Sequence, residues 1–312
     1  MQALVTVILP VFLLIGAGYA ATAFRVISDQ GIDGLMRYAN AIAAPCLLML
    51  AIYRMDLGTA YSADLLISFY AGAFASFLIA TAAARFWLGR PAPEAVVIGF
   101  AALFSNTLLL GLPITERAYG PQALTANYIL ISVHSPLLYT FGITLMEVVQ
   151  ARARGLHPLR MGARVIRGIA TQPLLIGIAA GFALNLGRIS LPVPVADAVG
   201  MIARTAIPVA LFGLGGVLWR YRPEGDARAI ALICAGSLLI HPALTWWLGT
   251  NFYHLDTASL RSAVVTAAMA PGVNAYLFAH LYGTGQRVAA SAVLIATVLT
   301  ALTTWGWLHL LP

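Results

Sequence analysis

Apolar residues run along this chain in long blocks, and polar residues arrive between them in short bursts. The blocks are long enough to matter. A bilayer's hydrocarbon core, about 30 Å thick, is crossed by about 20 residues of helix. On that measure the pattern predicts ten spans, at residues 3–22, 32–53, 64–88, 93–119, 122–147, 168–187, 195–219, 228–249, 258–281 and 288–311. Together with short loops they use the 312 residues and leave no room for a soluble domain. Two blocks are interrupted at mid-length. In "SNTLLLGLPI" (Ser105 to Ile114) three polar side chains, a glycine and a proline sit inside span 4, and "APGVNAY" (Ala270 to Tyr276) does the same to span 9.

Composition supports lipid as the solvent. The chain is 61% hydrophobic and 9% charged, with a mean hydropathy of +0.87. A soluble domain cannot hide that much apolar surface. The first twenty residues lack a basic leader and read as the first span, not as a cleaved signal. Cys46 and Cys234 both fall within spans and read as buried free thiols.

The net charge of +7 comes from eighteen arginines and no lysine. Thirteen of them lie on loops and helix ends after odd-numbered spans, and Arg54, Arg117, Arg188, Arg204 and Arg261 lie on the other face. The positive-inside rule therefore predicts odd loops in the cytoplasm and both termini outside the cytoplasmic (inner) membrane. Membrane topology accounts for the basic charge, so nucleic acid is not an expected partner.

The longest polar stretch, "QARARGLHPLRMGARVIRG", splits the chain nearly in half. The expected organisation is a first five-helix repeat over 1–149, a cytoplasmic arginine-rich linker over 150–167 and a second repeat over 168–312. An odd number of spans per half inverts the second copy. Prolines repeat accordingly. Pro10 and Pro45 are 35 apart, as are Pro173 and Pro208, while Pro113 and Pro271 hold corresponding places in spans 4 and 9.

Broken helices in equivalent spans of inverted halves point to a transporter site. Proline removes an N–H and frees a carbonyl, which lipid tolerates only where protein or a cavity satisfies them. Half-helix N-termini at the midplane suit a carboxylate. The candidate binding residues are Asn106, Thr107, Gly111, Pro113, Pro271, Gly272 and Asn274, with Pro45 and Pro208 lining a facing wall. Possible coupling or anion-balancing residues are His134, Arg204, Glu116 and His241. "HSP" (His134 to Pro136) is expected to break span 5, and Glu116 either couples an ion or pairs with Arg117. No carboxylate lies at mid-span, so coupling would use His134, a cation held by carbonyls and amides, or no ion. Neither a metal nor an organic cofactor is expected; sodium or proton coupling is possible.

"NTLLLGLPITERAYG" resembles the fourth-span motif of the auxin efflux carrier family, which includes plant auxin exporters and bacterial malonate-type carriers. "SDQGIDGLMRYANAIAAPCLLML" is similar to its second span, and "AAMAPGVNAYLFAHLYG" to its ninth. The resemblance implies an all-α membrane protein of ten spans in two inverted repeats, with helices 4 and 9 crossing at their breaks, a fold shared with bile acid symporters. It implies a dimerising scaffold of spans 1, 2, 6 and 7 and an elevator-like transport domain of spans 3–5 and 8–10. Asn106, Pro113 and Pro271 would lie at the crossing. The large cytoplasmic loop of the plant exporters is a short link here, and Ala275 stands where their ninth-span motif has proline, so auxin is a poor substrate.

The function expected is secondary transport of a small mono- or dicarboxylate by alternating access, in a homodimer. A sodium-coupled symporter of the bile acid type is the alternative. A membrane-embedded enzyme is disfavoured, because no metal-binding His pair, nucleophile elbow or P-loop occurs. "GIAAG" (Gly177 to Gly181) would permit close helix packing in span 6.

Overall fold

The computed structural model describes residues 4–154 and 172–312. Among them the chain is helical throughout, apart from one isolated β-bridge. In chain order the helices are α1 (Val5–Ala23), α2 (Asp29–Tyr53), α3 (Ala63–Phe86), α4 (Ala92–Leu103), α5 (Leu112–Tyr119), α6 (Leu124–Arg154) and α7 (Pro173–Leu186). There follow α8 (Val193–Arg220), α9 (Ala227–Asn251), α10 (Thr257–Ala267), α11 (Val273–Leu281) and α12 (Gln286–Leu310). Among the described residues, seven stretches are long and apolar enough to cross a membrane, those of α1, α2, α3, α6, α8, α9 and α12. The chain is an integral membrane protein.

The sequence pattern predicts three more spans, and each differs for a visible reason. The fourth is divided into α4 and α5, the ninth into α10 and α11, so no piece has the length of a full crossing. The sixth begins at Pro173, after residues 155–171, which lie outside the described residues along with most of the expected linker 150–167.

Helix starts are set by polar caps that satisfy orphan N–H groups. Ser28 accepts from Gly31 N at 3.2 Å and Ser62 from Leu65 N at 3.3 Å. Asp226 and Asp256 cap α9 and α10 in the same way. Prolines leave a second mark. Among the described residues four π-helical turns occur, at Leu4–Ile8, Ala39–Ala43, Thr107–Gly111 and Gly236–Ile240. Each ends two residues before a proline: Pro10, Pro45, Pro113 and Pro242. The ring would collide with the carbonyl one turn back, and widening that turn relieves the collision without ending the helix. Pro136 and Pro208 are instead carried inside α6 and α8. The expected break at "HSP" is therefore absent: α6 runs through it.

Helices α1, α2, α7 and α8 pack on one another at close range. A Cβ on Gly18 would stand 1.8 Å from the Phe212 carbonyl oxygen, and one on Gly215 1.9 Å from that of Ile15, so α1 and α8 touch backbone to backbone. Gly177 and Gly181 of α7 likewise lie against Pro45 and Met49 of α2. The "GIAAG" seam is used within the chain. The remaining helices pack as α3 on α4 and α9, α9 on α10 and α12, α12 on α11, and α6 on α4 and α10. Their core is aromatic, with Phe100 and Phe278 stacked at 4.0 Å.

Candidate functional site: a helix crossing beside a cleft

The backbone leaves α4 at Phe104 and re-enters a helical path at Thr107. It leaves α10 at Ala268 and starts α11 at Val273. The two interruptions meet as an antiparallel bridge between Ser105 and Pro271. Asn106 N donates to Ala270 O at 2.9 Å, and Gly272 N donates to Phe104 O at 3.1 Å. Each break thus satisfies groups that the other orphans, which an apolar interior demands. The bonds come from the residues flanking the bridged pair, so the N–H that Pro271 lacks is not needed. Thr300 of α12 closes the arrangement by accepting from Ala270 N at 3.1 Å.

Two helices end at the crossing and two begin there. Asn106 caps the first new start, its Oδ1 accepting from Leu109 N at 3.2 Å. Gly272 caps the second without a side chain. Both starts direct the positive ends of their dipoles and N–H groups without intrahelical acceptors at the crossing. Asn106, Thr107, Gly111, Pro271 and Gly272 are buried, whereas Leu108, Leu109, Val273 and Asn274 are half-buried. The chain interruption lies at Phe104–Asn106 and not at Pro113, which stands in the first turn of α5 behind a π-turn.

A residue that sequence reasoning missed holds these pieces together. Asn127 of α6 is fully buried, and its Nδ2 donates to Thr115 Oγ1 of α5 at 3.2 Å and to Thr266 Oγ1 of α10 at 2.7 Å. It lies six positions into span 5, deep enough to have been treated like Asn106. No proline stands beside it to mark it in the sequence.

The two candidate histidines, separate in sequence, stand around one ring. His134 lies 5.8 Å and His241 4.8 Å from the Phe69 ring centroid. His241 Nε2 donates to the Phe69 carbonyl at 3.2 Å. His134 also meets Phe104 edge-on at 4.7 Å, placing its ring against the first break.

Beside the crossing opens a cleft of about 1080 Å³. One wall comes from α2 and α8, with Arg54, Arg204 and Pro208; the other comes from α5, α6 and the start of α10, with Glu116, Thr125 and Asp256. Burial pushes the Asp256 carboxyl up, but hydrogen bonds from Ser259 and Ala258 outweigh it and hold the group below its ordinary value. Of the expected residues, Glu116, Arg204 and Pro208 line the cleft, while those of the crossing do not. Pro45 faces α7 instead of the cleft, which Leu47 and Leu50 of its helix reach. Glu116 does not pair with Arg117, whose guanidinium donates to the Thr6 and Val7 carbonyls of α1. An apolar cluster around Leu48, Leu112 and Ile131 connects cleft and crossing. Leu47, Tyr128 and Ile207 belong to it on the cleft side and Leu108 on the crossing side.

Comparison with known proteins finds relatives that are named as transporters. A protein of Rhizobium meliloti (strain 1021) named "Putative malonate transporter" is 23% identical over 304 residues, covering 97% of this chain and 94% of its own length. An "Uncharacterized transporter" of Methanothermobacter thermautotrophicus is 25% identical over 276 residues, covering 84% of this chain and 86% of its own. The family model described as membrane transport protein matches residues 3–308. With nearly its whole length matched, the chain belongs to the membrane transport protein family, that of the auxin efflux carriers.

Proposed function

We propose that this protein is a secondary carrier of small carboxylates, dicarboxylates of malonate size foremost, working by elevator-type alternating access across the cytoplasmic membrane. The observation that carries the reading is the pairing of two helix breaks, Asn106 N to Ala270 O and Gly272 N to Phe104 O. It sets two helix N-termini against one point inside an apolar molecule, a cradle for anionic oxygens. Asn106, Thr107, Gly111, Gly272 and Asn274 would contact the substrate, with Pro113 and Pro271 shaping the backbone.

In this reading α4 with α5, and α10 with α11, are the fourth and ninth of ten spans in two inverted five-helix repeats. The mutual packing of α1, α2, α7 and α8 supports their role as scaffold, and that of the other helices their role as moving domain. The scaffold would also form the homodimer contact, among membrane lipids. By arginine distribution both termini and the cleft face outward. Arg204 and Arg54 would draw an anion into the cleft, and the Leu108–Ile207 layer would separate it from the crossing until the domain moves. The malonate name of the Rhizobium relative supports a dicarboxylate.

The test is malonate counterflow in proteoliposomes, with and without sodium. The discriminating variant is Asn106→Asp. It keeps an oxygen to cap Leu109 N but sets a negative charge where the anion would bind. Counterflow is expected to fall about tenfold or more, the equivalent of about 1.4 kcal/mol, at unchanged melting temperature. Folded wild-type protein that exchanges no carboxylate would overturn the reading, and strict sodium dependence would shift it to the bile acid type.

A further inference from the structure

At the crossing, three buried side-chain atoms lack a protein partner: Ser105 Oγ and both ring nitrogens of His134. Ser105 and His134 are each 1% exposed. Buried polar atoms in proteins are nearly all hydrogen-bonded, so orphans in one place mark a group that receives something. The His134 ring lies against Phe104 and within electrostatic reach of the Ser105 main chain, which makes no well-formed hydrogen bond to either ring nitrogen. From α3 it meets Phe69 and Tyr70, and from α9 the neighbouring titratable group is His241. The Tyr70 hydroxyl already donates to Leu130 O at 2.9 Å. Among the described residues no carboxylate or guanidinium forms an ion pair with His134.

We propose that His134 is the proton-binding partner of the transported anion, loading one proton when a carboxylate occupies the crossing, so that the two move together. This rests on the carrier reading and names its coupling ion. An imidazolium without a counter-charge inside a membrane protein is costly. A carboxylate at the helix starts supplies that charge one residue from Ser105, and by linkage each ligand strengthens the binding of the other. On loading, the imidazole lone pair takes a proton from the open side and an N–H bond forms. On release that bond breaks, the proton passes to water on the other side, and the anion leaves with it.

His241 limits the count to one. Its Nε2–H is committed to the Phe69 carbonyl, which fixes the tautomer and leaves Nδ1 as the acceptor. A second positive charge there would stand across the same phenyl ring from the first and repel it.

The experiment is malonate influx into proteoliposomes without an initial pH gradient, with a pH-sensitive dye inside and the membrane potential clamped. Wild-type influx is expected to acidify the lumen by about one proton per malonate, independent of sodium. In His134→Gln the ratio of protons to malonate is expected to fall towards zero in whatever flux persists. Binding calorimetry in buffers of different ionisation enthalpy reads the same coupling without transport: proton uptake on malonate binding is expected in wild type and absent in His134→Gln. Malonate influx without acidification, or an unchanged ratio or proton uptake in His134→Gln, would overturn the proposal while wild-type counterflow left the carrier reading standing. Absence of wild-type counterflow would instead remove the carrier reading itself.

Discussion

At Asn127 a single buried amide ties α6 to both broken spans, because its two N–H groups reach Thr115 and Thr266. In an apolar interior the alternative for each threonine oxygen is no partner, so the pair of bonds is expected to contribute about 1–3 kcal/mol. Asn127→Ala should lower the melting temperature in detergent and lower flux with it, whereas Asn106→Asp lowers flux alone. An Asn127→Ala protein as stable as wild type would show that the amide does not hold the crossing. The contrast between the two asparagines also explains what a reader of the sequence can see. Asn106 stands out because a proline, a glycine and two polar neighbours break the same apolar block. Asn127 and His134 sit in a helix that continues, and their meaning comes from residues far away: Thr266 for one, Phe104 and His241 for the other. Arg117 is a similar case, since its partners lie more than a hundred positions earlier in α1.

Apolar block length made most helices legible within a few residues, because a helix that meets lipid must be apolar for its whole crossing. Proline was legible as a disturbance but not as to its form. The same residue widens a turn before Pro45, Pro113 and Pro242, and is absorbed within the helix at Pro136 and Pro208. Pro242→Ala restores the missing N–H and should let Gly236–Ile240 tighten into α-helix. Slower amide exchange in that turn would be the sign, and an unchanged exchange pattern would remove proline as the cause. The glycine contacts of α1 and α8 yield a sharper test. Gly18→Ala or Gly215→Ala puts a methyl into a facing backbone carbonyl and forces the helices apart, at an expected cost of about 1–3 kcal/mol. Gly16, two residues from Gly18 but on the exposed face of α1, has nothing within 4 Å of a Cβ, so Gly16→Ala should melt as wild type does. Equal melting temperatures for Gly16→Ala and Gly215→Ala would contradict the close approach.

In the carrier reading the cleft and the crossing belong to one stage of a cycle, in which the cleft is open on one side and the apolar layer of Leu108 and Ile207 still separates it from the binding point. The walls of the cleft come from different helix groups, α2 and α8 against α5, α6 and α10. Moving one group past the other would close the cleft and carry the crossing with it, without remaking the bridge at Ser105 and Pro271, since both halves of that bridge ride on the same group. Thr125 of α6 is exposed in the cleft, while the Arg287 side chain, 81% exposed, lies among the arginines assigned to the cytoplasmic face. With Cys46 and Cys234 replaced, Thr125→Cys should react with an impermeant thiol reagent on intact cells, and Arg287→Cys only after lysis. A malonate gradient that draws the carrier to its other stage should then slow labelling at position 125 and leave position 287 unaffected, because only the first lies between the moving walls. Equal labelling of the two sites on intact cells would invert or abolish the assigned orientation. Labelling at 125 that ignores malonate under conditions of measured flux would show that the cleft does not close during transport.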